Sequence, residues 1–148
     1  MGDATTLPPR ARTEALHRRP RVAAVAASIT SDTILADGDL LGRVIDTLAA
    51  AQLRPEIALS PRRRRLHHLR TKEGRHEIDA VVELEGARVL AIEFKASAAV
   101  TRADSKHVVW LRDELGARFV AGTVVHAGPD VFVLDERVFA VPLCAMWG

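Results

Sequence analysis

The chain has 148 residues and a formal net charge of +2, a length that suits a single domain and is too short for a nucleotide-driven motor joined to a second module. With 48% hydrophobic and 27% charged residues, it has the composition of a globular protein and not of a disordered one. The longest apolar stretch, from Val22 to Ile29, is too short to span a membrane, and Cys144 is the single cysteine, so we expect a cytoplasmic protein with no membrane partner.

Residues 1–30 form the first segment and are interpreted as a flexible basic arm or a remnant leader. Residues 1–21 show no helical or strand periodicity, and residues 10–21 contain five arginines against one glutamate. A segment of this composition buries too little apolar surface to fold by itself. Residues 31–148 are predicted to form the folded domain.

Helical periodicity begins at Asp39, where apolar residues recur on one face as far as Leu53. Pro55 is expected to end this helix, because proline lacks a backbone N–H and restricts the residue before it. Downstream, short apolar and β-branched runs bounded by turn residues predict four strands. They cover residues 56–60, 66–70, 77–84 and 87–96. The last two strands are predicted to pair as a hairpin.

The C-terminal half of the chain returns to a helix and then to strands. Helical spacing from Asp104 to Leu115 ends at Gly116, a residue suited to a left-handed cap. A buried strand and a closing hairpin follow, at residues 118–127, 131–134 and 138–141. This order of elements predicts an α/β fold, a mixed sheet flanked by helices.

Two of the predicted strands carry carboxylates in otherwise apolar runs. Asp79 lies in Ile-Asp-Ala-Val-Val, and Glu93 and Lys95 lie in Val-Leu-Ala-Ile-Glu-Phe-Lys. Side chains two residues apart on a strand share a face, so Glu93 and Lys95 are expected to point the same way. If the two strands pair, Asp79 joins them. Two carboxylates beside an ammonium suit Mg²⁺ or Mn²⁺ and the hydrolysis of a phosphodiester.

An acidic residue followed two positions later by a basic one is not specific by itself. Such a triplet occurs four times, beginning at Glu73, Glu93, Asp104 and Asp135, and only the copy at Glu93 ends a long apolar run. The alternative for this copy is a solvated strand face with an exposed ion pair, which would contribute about 0–1 kcal/mol.

Arginines and histidines give two further candidates. Four consecutive arginines suit contact with the phosphate backbone of nucleic acid: Arg62, Arg63, Arg64 and Arg65. A solvated arginine-rich loop is the alternative for that segment. Zinc binding by His67, His68 and His76 is disfavoured, because His67 and His68 point to opposite strand faces and no cysteine is nearby.

Several motifs occur in the order typical of one protein family. They are Leu-Leu-Gly-Arg-Val-Ile-Asp at 40–46, the run 66–79, Ile-Glu-Phe-Lys-Ala-Ser at 92–97, Arg-Phe-Val-Ala-Gly-Thr-Val-Val at 118–125 and Ala-Val-Pro-Leu-Cys-Ala-Met-Trp at 140–147. Over most of the chain they resemble the C-terminal domain of unknown function found in many prokaryotic AAA+ ATPases. That domain is similar to the PD-(D/E)XK nuclease superfamily, which implies a restriction-endonuclease-like fold for residues 31–148.

The resemblance implies catalytic roles for four residues. Asp79 and Glu93 correspond to the metal-binding acids, Lys95 to the lysine of the motif, and Asp46 to an acid on the first helix that is usually a glutamate in the family. It also implies a AAA+ ATPase partner, although no Gly-Lys pair of a phosphate loop occurs in this sequence. The leading hypothesis is a nuclease-like domain that binds Mg²⁺ or Mn²⁺. The alternative is a non-catalytic interaction or DNA-binding module, detached from or partnering with such an ATPase.

Overall fold

The structure is a computed structural model and describes residues 11–14 and 36–146, apart from the side chains of residues 11–14 and of residue 46. Over these residues, seven strands form one sheet with the spatial order β1-β2-β3-β4-β5-β7-β6. In chain order the strands are β1 (Ala11–Glu14), β2 (Arg65–Thr71), β3 (Glu77–Glu83), β4 (Val89–Lys95), β5 (Phe119–His126), β6 (Phe132–Asp135) and β7 (Val138–Pro142).

The sheet is mixed, as the order of elements predicts. Strands β1 to β4 pair antiparallel, β5 lies parallel to both β4 and β7, and β6 pairs antiparallel with β7. A parallel pair needs a crossover connection, which α2 (Lys106–Leu115) provides between β4 and β5. The α/β fold is therefore confirmed, and β2 to β7 and α2 begin and end within two residues of their predicted bounds.

Helix α1 (Gly38–Leu59) is longer than its pattern predicts. The prediction that Pro55 ends it is wrong, and so is the predicted strand at residues 56–60, because Pro55 lies inside the helix. Because Pro55 has no backbone N–H, the carbonyl of Ala51 four residues earlier lacks its helical hydrogen bond. Both residues are exposed, so water can bond to that carbonyl. The helix ends at Leu59, and the next residue, Ser60, has the extended backbone favoured before Pro61.

The two helices cover opposite faces of the sheet. On one face, the residues that α2 contributes to the larger apolar cluster are Val108, Leu111 and Leu115. Gly122 on β5 permits this close packing, because a Cβ at that position would overlap the Val108 side chain. On the other face, α1 packs against the sheet in a smaller cluster built from Ile45, Ala49, Ala80, Phe94 and Val125. Of the helices in the described ranges, none is long and apolar enough to cross a membrane.

Among the described residues, strand β1 is the edge strand next to β2, in a segment for which the sequence pattern predicts no strand. It pairs antiparallel with β2, with Ala11 opposite Thr71. Such pairing uses only backbone groups, so it can form without an alternation of apolar and polar side chains. The rest of residues 1–30 lies outside the described residues, and its interpretation as an arm or leader stays a prediction.

Candidate functional site

Asp79 and Glu93 lie on neighbouring strands, where β3 pairs with β4. The ladder between these strands ends at the pair Ala80–Ile92, so Asp79 and Glu93 are each one residue beyond its last pair. The pairing of β3 with β2 shifts by one residue in this region. Oδ2 of Asp79 accepts a 2.8 Å hydrogen bond from the backbone N–H of Phe94. Asp79 therefore contacts the peptide group that joins Glu93 to Phe94.

Glu93 and Lys95 form an ion pair at the carboxyl end of β4. As strand alternation predicts, they share a face, and Nζ of Lys95 donates a 3.0 Å hydrogen bond to Oε1 of Glu93. Glu93 is only 6% exposed, whereas 34% of the Lys95 side chain reaches solvent. A carboxylate buried to this extent is costly unless an oppositely charged partner is bonded to it. Lys95 is such a partner.

The pKa values of Asp79 and Lys95 are both shifted upward. Burial raises the pKa of Asp79, and the hydrogen bond from Phe94 and the charges of Lys95 and His68 offset this effect only in part. Burial lowers the pKa of Lys95, but the hydrogen bond to Glu93 and the charges of Glu93 and Asp79 outweigh it, so that the net shift is upward. Lys95 is thus held as an ammonium between two acids.

Two acids near the site were not singled out by the sequence pattern. Glu77 lies 3.2 Å from Nε2 of His68, and its charge raises the pKa of Asp79. The charge of Asp104 raises the pKa of Lys95. Glu77 precedes Asp79 by two residues on β3, so strand alternation is a signal that could have found it. Asp104 precedes α2, and no local pattern relates it to β4.

The four arginines of residues 62–65 lie at the other end of the strands from this site. All four are exposed. Arg65 pairs with Glu83, which pairs in turn with Val89 at the start of β4. Because Val89 and Glu93 are four residues apart, Arg65 and Glu93 are separated by roughly 14 Å along the strand direction.

The donors at the site suit a hard divalent cation. Among the described residues, no three His, Cys, Asp or Glu side chains lie close enough together to hold a metal ion. Asp46 lies in α1, but its side chain is outside the described residues, so its role stays a prediction. Mg²⁺ keeps several waters and is bound in proteins through one or two carboxylates. Asp79 and Glu93 supply two carboxylates on neighbouring strands, and their joint binding of a metal ion stays a prediction.

Comparison with known proteins finds one relation. Residues 41–146 match the family described as Domain of unknown function (DUF4143). This range includes β2 to β7 and all three residues of the candidate site. Comparison with curated proteins and with solved structures finds no match.

Proposed function

The chain belongs to the family described as a domain of unknown function, DUF4143, and we propose that this member is a nuclease-like domain that binds Mg²⁺ or Mn²⁺ and hydrolyses phosphodiester bonds in nucleic acid. One observation carries the proposal. The buried Glu93 is hydrogen-bonded to Lys95, and the carboxylate of Asp79 on the neighbouring strand is bonded to the peptide that follows Glu93. The resemblance to PD-(D/E)XK nucleases supports roles for the same three residues.

Each of these residues has a separate task in the proposed reaction. Asp79 and Glu93 would hold the metal ion, which supplies a Lewis acid for the phosphodiester and lowers the pKa of a bound water. The N–H of Phe94 fixes the orientation of the Asp79 carboxylate. Lys95 offsets the negative charge of the substrate phosphate, because its raised pKa keeps it protonated at neutral pH.

The four arginines of residues 62–65 extend the proposed contact with nucleic acid. Along the strand direction, the separation of roughly 14 Å between Arg65 and Glu93 corresponds to about four nucleotides of one strand at 3.4 Å each. We therefore expect them to contact phosphates on one side of the cleaved bond. Changing all four to alanine should reduce the slope of log affinity against log salt by up to about 3–4. An unchanged slope would favour the solvated-loop alternative.

The metal site is tested by calorimetry together with a cleavage assay. Glu93→Gln removes one charge at nearly constant shape, and we expect it to weaken Mn²⁺ binding at least about tenfold and to abolish cleavage of labelled DNA. Glu83→Gln is the matched control, because Glu83 ends β3 and bonds to His67 at 3.2 Å. Equal Mn²⁺ binding by the wild type and by Glu93→Gln would contradict the proposal.

A non-catalytic module that partners with a AAA+ ATPase is the second candidate function. Strand β6 is the last in the described sheet, and Val131 and Val133 at this edge are 65% and 67% exposed. An unpaired strand edge with apolar side chains is a surface to which another chain can add a strand. In that case Val133→Lys should abolish binding to the ATPase, whereas Glu93→Gln should leave it unchanged.

A further inference from the structure

Two histidines that are distant in the sequence meet close to the candidate site. Nδ1 of His76 lies 3.2 Å from Nδ1 of His107. His76 precedes β3, and its backbone is held by Thr71, which donates its N–H to the His76 carbonyl at 2.9 Å and accepts the His76 N–H at Oγ1 at 3.1 Å. His107 is the second residue of α2. The β2–β3 hairpin and the start of α2 therefore hold the two rings against each other.

The orientation of the His76 ring is fixed by Trp110. The two rings are stacked, with centroids 4.1 Å apart and planes inclined by 8°. The His107 ring meets that of His76 nearly at right angles, with an interplanar angle of 85°. Both histidines are half-buried. The position of the His76 ring is thus fixed by stacking on Trp110 as well as by its contact with His107.

The two facing nitrogens hold one proton between them. In neutral imidazole, one ring nitrogen donates and the other accepts, so the pair contains an Nδ1 lone pair directed at its neighbour. Burial lowers the pKa of His107, and the charges of Lys106 and Lys95 act in the same direction. Neutral imidazole is the form that ligates metal ions.

We propose that His76 and His107 bind a divalent transition-metal ion of the Zn²⁺ class, at a site separate from the Asp79–Glu93 pair. Zn–N distances of about 2.0–2.1 Å in tetrahedral geometry separate two nitrogens by roughly 3.3–3.4 Å, close to the 3.2 Å found here. On binding, the proton between the rings is transferred through solvent to Nε2 of the same ring, so both Nδ1 lone pairs face the metal and no net proton is released.

The rest of the coordination sphere comes mainly from water. Within the described residues no third ligand is already in place. Glu77 is the acid whose charge acts on His107, and it offsets part of the repulsion between the ion and Lys95. Imidazole ligands suit Zn²⁺ and its neighbours, whereas oxygen ligands suit Mg²⁺. Millimolar Mg²⁺ should therefore not displace Zn²⁺ from this pair.

Zinc titration of the full chain tests the proposal. The protein carries Cys144→Ser, which removes an exposed thiol, and Trp147→Phe, which leaves Trp110 as the fluorescent reporter because the chain has two tryptophans. In millimolar Mg²⁺, we expect one Zn²⁺ per chain and a change in Trp110 fluorescence. His76→Ala and His107→Ala should each weaken binding at least about tenfold. His67→Ala is the matched control and should bind as tightly as the parent, since His67 is bonded to Glu83.

A second measurement needs no variant at either histidine. In an NMR titration of the wild-type chain, Zn²⁺ should shift the imidazole signals of His76 and His107. The signals of His126 should stay in place, because its nitrogens are engaged by the Gly128 N–H and the Asp130 carbonyl, both at 3.0 Å. Failure of the wild type to bind Zn²⁺, or binding that leaves the His76 and His107 signals unmoved, overturns the proposal.

Discussion

Two charged clusters of the molecule differ in their ratio of acids to bases. The candidate site has two carboxylates and one ammonium. The second cluster, called here the arginine cluster and distinct from residues 62–65, consists of the Asp135 carboxylate and the guanidinium groups of Arg102 and Arg112 on either side of it. The pKa of Asp79 is raised, chiefly by burial, while the hydrogen bond from Arg112 lowers the pKa of Asp135 to about 2. The arginine cluster therefore favours the charged form of Asp135, whereas the candidate site disfavours the charged form of Asp79.

The same sequence pattern occurs in both clusters, with different structural results. In Glu93-Phe-Lys95 the lysine bonds to the glutamate. In Asp135-Glu-Arg137 the arginine instead donates to the carbonyls of Gly116 and Phe119. Asp135 bonds to Arg112 and so attaches β6 to α2. A buried acid such as Glu93 is not required for stability, because well-packed apolar residues often replace a buried ion pair without loss. This difference favours a functional role for the candidate site and a structural role for the arginine cluster.

Catalysis should show the largest difference between the clusters. Asp79→Asn removes one candidate metal ligand, and we expect Mg²⁺-dependent DNA cleavage to fall at least about a hundredfold. Asp135→Asn should leave the rate per folded molecule unchanged. Cleavage of labelled DNA at saturating Mg²⁺, normalised by circular dichroism for the folded fraction, checks both. Equal losses in the two variants would remove the functional distinction.

Removing the base from each cluster should affect stability unequally. Arg112→Met should lower Tm more than Lys95→Met does, because Arg112 bonds to Asp113, Asp135 and the carbonyl of Glu136. Lys95→Met should lower the free energy of unfolding by about 1–2 kcal/mol, an effect limited by solvent screening at its partly exposed ammonium. Thermal and urea unfolding measure the two effects.

A double variant identifies the source of the Lys95→Met loss. With Glu93→Met added, the buried carboxylate is gone, and most of the lost stability should return. A double variant as unstable as Lys95→Met would mean that lost packing of the lysine stem, and not the uncompensated charge of Glu93, causes the loss.

The pH dependence of stability should have opposite signs at the two aspartates. The raised pKa of Asp79 means that its contribution to stability is fully present below the ordinary aspartate pKa of 3.8 and is lost as pH rises through the folded-state pKa. Asp79→Asn should therefore be more stable than the wild type at pH 7, since asparagine can still accept from the Phe94 N–H. The difference in stability between Asp79→Asn and the wild type should disappear as the pH falls below 3.8, and thermal melts over a pH series would measure this.

Asp135 should behave in the opposite way in the same series of melts. Its folded-state pKa of about 2 lies below 3.8, so its contribution is present above 3.8 and is lost as pH falls towards 2. Asp135→Asn should be less stable than the wild type at pH 7 and equal to it near pH 2. A constant difference across this range would show that the carboxylate charge is not the cause.

The smallest effect should come from Asp104, at the boundary of the candidate site. Its Oδ2 accepts from the N–H and the hydroxyl of Thr101, at 2.8 and 3.0 Å. Asp104→Asn should cost about 0.5–1 kcal/mol as a weakened cap and leave Mn²⁺ binding unchanged in calorimetry. A loss of Mn²⁺ affinity would show that Asp104 contributes to the metal site.

The sequence by itself determined most of the secondary structure and, within the candidate site, the shared face of Glu93 and Lys95. Strands β2 to β7 and α2 were predicted because apolar periodicity is a property of neighbouring residues. The shared face of Glu93 and Lys95 follows from the same two-residue repeat. The end of α1 was not predictable from Pro55, because the cost of an internal proline depends on whether the carbonyl it leaves unpaired reaches water.

Only the tertiary structure decided which distant groups meet. The hydrogen bond from Phe94 to Asp79 depends on the register of β3 against β4, and the contact of His76 with His107 spans 31 residues. The pairing of β1 with β2 likewise joins segments far apart in the chain. Such contacts result from the packing of whole elements around a common core, and no local repeat in the sequence encodes them.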